Sequence, residues 1–116
     1  MISNFEIHKK GWGFEKWIYN GEYCGKFLVF NEGKKCSWHF HEKKDEFFYV
    51  LDGEFLVLTS WQNDIGNAAS QTLKMGVGLH IPSKLRHQLV CVSAGTILEI
   101  STHHDEFDTF RVVRGD

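Results

Sequence analysis

The sequence predicts an all-β domain, and three observations carry that prediction. Eleven glycines and a single proline among 116 residues suit many short strands joined by glycine turns. The runs EFFYVL (residues 46–51) and CGKFLVFN (residues 24–31) are rich in the aromatic and β-branched residues that favour strands. Asp52-Gly53 is a turn pair that closes the first of these runs. The length is that of one domain, residues 1–116, long enough to bury a core.

Composition narrows the function classes. A formal net charge of -2 argues against a nucleic-acid binder that works through a basic surface. No stretch of about 18 apolar residues exists, so no membrane span is expected. The N-terminus, MISNFEIHKKGWGF, lacks an apolar signal core and reads as mature protein. Cys24, Cys36 and Cys91 are odd in number and form no CxxC, which reads as reduced thiols filling apolar space in a cytoplasmic protein.

The chemistry gathers in Gly33–Gly53, GKKCSWHFHEKKDEFFYVLDG. On a strand, residues two apart share a face, so His39 and His41 point the same way, about 7 Å apart. Glu42 to Asp45 read as a solvated turn, which lets Glu46 face the two histidines from the next strand. A second stretch, GVGLHIPSKLRH (residues 76–87), brings His87 from a distant strand after Pro82. Three neutral imidazoles and one carboxylate suit a divalent Fe, Mn, Zn, Ni or Co ion. With an ordinary imidazole pKa of about 6.5, such a site should release its metal below about pH 6.

Gly33, His39, His41, Glu46 and Gly53 resemble, in type and spacing, the first motif of the cupin superfamily. Gly76, Pro82 and His87 resemble the second, which extends here to Cys91. Lys84 stands where the family usually has glycine, and Cys91 where it often has asparagine. The resemblance implies a small antiparallel β-barrel of the jelly-roll kind, a double-stranded β-helix with a metal inside it. It also implies that His39, His41, Glu46 and His87 take four positions of an octahedron and leave two open to substrate.

The rest of the chain is read around that centre. Residues 1–10 are an arm or edge strand. GWGFEKW (residues 11–17) loosely resembles a segment of cupins related to type II mannose-6-phosphate isomerases. Trp12 and Trp17 are expected to cover the open end of the barrel or to form a dimer seam; homodimers are the commonest symmetric assembly. In residues 24–31, Lys26, Leu28 and Phe30 share one face. The same isomerase cupins carry a basic residue near the position of Lys26, which makes it a candidate for holding an anionic substrate. QNDIGNAAS (residues 62–70) is the expected hairpin tip.

His80 is expected to orient a ligand imidazole or to serve the structure, and Lys84 and Arg86 to place charge at the pocket mouth. Residues 88–92 and 96–102 are the closing strands. Glu99, on the second of these, is expected to face inward as a desolvated carboxylate and candidate base. His103 and His104 are adjacent, point to opposite faces and read as surface residues. The run DEFDTFR resembles the isomerase-type ending and sets Arg111 at that group's arginine.

The reading of function is therefore a metal-binding cupin that takes a small sugar or anionic substrate. Its leading form is a sugar or sugar-phosphate isomerase, with Glu99 and Lys26 as catalytic candidates. An Fe(II)-dependent dioxygenase and a non-catalytic ligand-binding cupin are the alternatives. A homodimer in the cytoplasm is the expected setting.

Overall fold

A computed structural model describes all residues, 1–116. Nine strands follow in order: β1 (Glu6–Lys10), β2 (Gly13–Asn20), β3 (Tyr23–Phe30), β4 (Trp38–Phe40), β5 (Glu46–Ser60), β6 (Ala69–Lys74), β7 (Gly78–Ile81), β8 (Arg86–Thr102) and β9 (Phe110–Val113). Two short 3-10 turns, Ile65–Asn67 and Glu106–Asp108, are the only helical pieces. All pairings are antiparallel. The sheet is all-β and curled, consistent with the expected jelly roll.

The long strands β5 and β8 pair along most of their length and run through both halves of the curl. The first part of β5 pairs with β7 and the second with β6. The last part of β8 pairs with β3, and its start meets β4 at His39 and His87. Asp52-Gly53 does not end a strand, contrary to the turn expected there. It is a bulge inside β5, with register shifts on either side. Gly53 has φ 80°, and a Cβ there would sit 2.6 Å from the Ser93 carbonyl oxygen and 2.7 Å from that of Ala94. A positive-φ glycine is what lets the strand bend without breaking its ladder. The two expected closing strands are likewise one strand, β8. Residues 62–70 do join the β5–β6 hairpin, and β1 lies at the sheet edge.

Alternation sorts the interior. On β3, Cys24, Lys26, Leu28 and Phe30 are buried, and on β5 so are Glu46, Phe48 and Val50. Leu28, Phe30, Phe48, Val50, Phe55, Val57, Leu89 and Ile97 belong to one apolar cluster that fills part of the barrel. Each such side chain contributes about 1.5–3 kcal/mol by leaving water. The same inward faces continue into a polar group of Lys26, Lys44, Glu46, His87 and Glu99. An interior that is greasy in one part and charged in another is what the site is built from.

Candidate metal centre

The ligand candidates meet because of register. His39 on β4 pairs directly with His87 on β8, and His41 follows just past the end of β4. Ring centroids lie 5.1 Å apart for His39 and His41, 4.4 Å for His39 and His87, and 5.8 Å for His41 and His87. Ligand atoms of the three lie within 4.8 Å of one another. Glu46, the first residue of β5, places Oε2 at 3.6 Å from His41 Nε2 and 3.1 Å from His87 Nε2.

Backbone carbonyls set the tautomers. His39 Nδ1 donates to Ser37 O (2.9 Å), His41 Nδ1 to Asp108 O (3.0 Å) and His87 Nδ1 to Leu85 O (3.0 Å). A carbonyl can only accept, so each Nδ1 carries a proton, and in the neutral ring Nε2 is the nitrogen that keeps its lone pair. The turn before His87 helps: Lys84, at φ 73°, donates its amide to His41 O. The glycine position of the second motif thus keeps its left-handed turn with a lysine in it.

The donor set fits a metal ion. Glu46 Oε2 and His87 Nε2 are both buried, and neither has a hydrogen-bond partner. An acceptor oxygen facing a nitrogen lone pair at 3.1 Å is unfavourable unless a cation lies between them. Electrostatics prepare the same state. Burial, with the rings of His87 and His41, holds the His39 imidazole well below its usual range, against the pull of Glu46. Burial brings His41 down to about 4, against the opposing effect of Glu46. Burial alone would raise the Glu46 carboxyl, but Lys44 and the two imidazoles hold it well below the usual range. Neutral imidazoles and an ionised carboxylate are the forms a divalent ion needs.

The centre opens on a cavity of about 490 Å³ that Lys26, Glu99, Trp12 and Arg111 help to line. Lys26 and Glu99 sit opposite each other on β3 and β8, both facing inward. Lys26 Nζ reaches Glu15 Oε1 at 3.3 Å and lies 4.2 Å over the Trp17 ring. Glu99 accepts from Lys44 Nζ at 2.7 Å and from Ser101 Oγ at 3.1 Å. Burial, then the nearby Glu46 charge, raises the Glu99 carboxyl, against Lys44 and Lys26.

Several expectations change. Lys44 is not part of a solvated turn: it is 3% exposed and lies between Glu46 and Glu99. His104 is not a surface residue; it is buried, with Nδ1 at 3.0 Å from Lys44 Nζ, while His103 is exposed as expected. Lys84 and Arg86 do not line the cavity. Arg86 instead binds Asn63 Oδ1 and packs 3.7 Å over Phe40. His80 bonds Asp45 on the outside and touches no ligand imidazole. No sequence pattern marks Glu15 or Asp108. The Asp108 carboxylate accepts the amides of Glu42, Lys43 and Lys44. No short motif announces such a residue, because its partners are backbone amides 64–66 positions away.

Fold and donor set together define an antiparallel barrel with an internal three-histidine, one-carboxylate pocket suited to a divalent metal ion. The chain belongs to the cupin family: the family described as Cupin domain matches residues 26–101. No curated protein matches the sequence. Among solved structures, the capsular polysaccharide assembling protein CapF from Staphylococcus aureus superposes with TM-score 0.82 at 14% identity, over 97% of this chain and 32% of CapF. Oxalate decarboxylase from Bacillus subtilis gives TM-score 0.76 at 16% identity, over 96% of this chain and 32% of that one. KdgF from Halomonas sp. gives 0.74 at 16% identity, over 90% of both chains. The chain thus spans about a third of the length of CapF and of the decarboxylase, and at these identities the likeness is one of fold. No helix is long and apolar enough to cross a membrane.

Proposed function

We propose that this protein is a metal-dependent isomerase of a small sugar or sugar phosphate. The observation that carries the reading is Glu99, a buried carboxylate on the cavity wall with Oε2 tied to Lys44 and Ser101. Its Oε1 is left without a protein partner, and its raised pKa makes it a stronger base than an exposed glutamate. A divalent ion held by His39, His41, Glu46 and His87 would supply Lewis acidity toward a carbonyl and its neighbouring hydroxyl. Glu99 takes the proton from the carbon that bears the hydroxyl and returns it to the former carbonyl carbon. The hydroxyl proton passes between the two oxygens, so atoms and charge balance without an oxidant. Lys26 has three N–H donors and spends one on Glu15, so donors remain for a phosphate or carboxylate on the substrate. Arg111, which also lines the cavity and lies 3.6 Å from Glu106 Oε2, adds positive charge toward the same group.

The setting proposed is the cytoplasm, which suits three free, buried thiols. A homodimer through the exposed edge β1 is testable by sedimentation.

The deciding experiment is anaerobic incubation of the metal-loaded protein in D₂O with a panel of aldoses and their phosphates. Deuterium should enter at the carbon next to the carbonyl. No exchange, together with O₂ uptake on another substrate, would replace the isomerase with an oxygenase. No exchange and no O₂ uptake would leave a ligand-binding cupin.

A further inference from the structure

We propose that Lys44 is the positioning residue of the metal centre. Its ammonium holds Glu46 to a single free oxygen, Oε2, and links that ligand to Glu99. The proposal rests on the reading of the three-histidine cluster as a metal site, and it does not depend on the isomerase reaction.

A lysine ammonium has three N–H donors. Lys44 Nζ has three acceptors in reach: Glu46 Oε1 at 3.1 Å, Glu99 Oε2 at 2.7 Å and His104 Nδ1 at 3.0 Å. Two carboxylates and an imidazole therefore already surround the ammonium. Lys26 differs in this respect, because a single carboxylate holds it. One buried lysine is a fixed clamp, and the other keeps capacity to bind.

The clamp has a consequence for the ligand. With Oε1 bonded to Lys44, Glu46 can offer only Oε2 to an ion, and Oε2 is the oxygen that faces His41 and His87 without a hydrogen bond. Removing the ammonium frees the second oxygen and lets the carboxylate rotate away from the two imidazoles. Partners of this kind commonly set metal affinity by 10- to 100-fold.

The scaffold aims Lys44 on purpose. The Asp108 carboxylate gathers the amides of residues 42, 43 and 44, and Ser83 Oγ donates to the carbonyls of Lys43 and Lys44. This turn leaves Glu42 and Lys43 exposed and sends Lys44 inward. Both Asp108 and His104 lie beyond residues 26–101, the part that matches the family. The clamp is thus completed by a segment beyond the residues that the family matches.

The test is Co(II) binding by the metal-free protein and by Lys44→Met, which keeps the side chain's length without its charge. Absorption titration gives affinity, and the visible spectrum reports coordination. Lys44→Met should bind at least about 10-fold more weakly and show an altered visible spectrum. A role confined to folding would lower thermal stability and leave affinity and spectrum as they were. Equal affinity and an unchanged spectrum in Lys44→Met overturn the proposal while leaving the metal site intact. No Co(II) uptake by the unsubstituted protein overturns the metal reading itself, and the clamp with it. If Lys44→Met does not fold, the double variant Lys44→Met/Glu99→Gln removes a charge of each sign, and the same two readouts apply.

Discussion

Glu46 Oε2 and His87 Nε2 face each other at 3.1 Å, both buried and both without a hydrogen bond. They come from strands β5 and β8, and they are the two atoms most in need of a shared cation. Replacing His87 or His41 with Ala should therefore strip most of the metal from the purified protein. His103→Ala, on the exposed side of the same chain segment, should leave metal content unchanged. Metal analysis decides it, and full retention in His41→Ala would remove that residue from the ligand set.

The pH response of the metal-free protein follows from His41 and His104. Burial, opposed by Glu46 at His41 and joined by Lys44 and Lys26 at His104, lowers both to about 4 in the folded chain, against roughly 6.5 when unfolded. The unfolded chain thus takes up protons first as pH falls. Stability is full above about pH 6.5 and drains away toward about pH 4. His41 alone contributes on the order of 3 kcal/mol to that loss. Urea unfolding at several pH values should show the slope, and a flat profile between pH 7 and 4.5 would contradict it. The same depression moves metal release from the expected pH of about 6 to a lower value, because protons compete less well for a buried ring.

Two positive-φ positions should respond with opposite signs. Gly53→Ala places a Cβ against the carbonyls of Ser93 and Ala94 at positive φ, and should cost about 1–3 kcal/mol. Lys84→Gly relieves a left-handed lysine and should gain about 0.5–1 kcal/mol, less than the full strain because glycine is freer when unfolded. Denaturant midpoints measure both. A destabilised Lys84→Gly would mean that its side chain, not its backbone, secures the turn.

For the reaction, Glu99→Gln should lower isomerase turnover by about 10²- to 10⁴-fold with metal content unchanged. A silent substitution in an active isomerase would reassign the base and leave the reaction class standing.

The sequence by itself determined the strand-rich fold and the candidate ligands. His39, His41, Glu46 and His87 are legible because a strand's period of two and a motif's spacing are local properties. Alternation sets Lys26 on one face with Leu28 and Phe30, whereas the inward face of Glu99 is implied by the family resemblance; both are buried. Tertiary structure alone decided the rest. Asp52-Gly53 reads as a turn, and only its packing against β8 makes it a bulge within one long strand. Lys44 reads as solvent-exposed, because it sits among Glu42, Lys43 and Asp45, and hydrophilicity says nothing about direction. Its burial depends on Asp108 gathering three amides and on three acceptors that arrive from Glu46, Glu99 and His104. A buried charge is stable only when its partners surround it, and here most of those partners lie about 55–66 residues further along the chain, so no local pattern can reveal them.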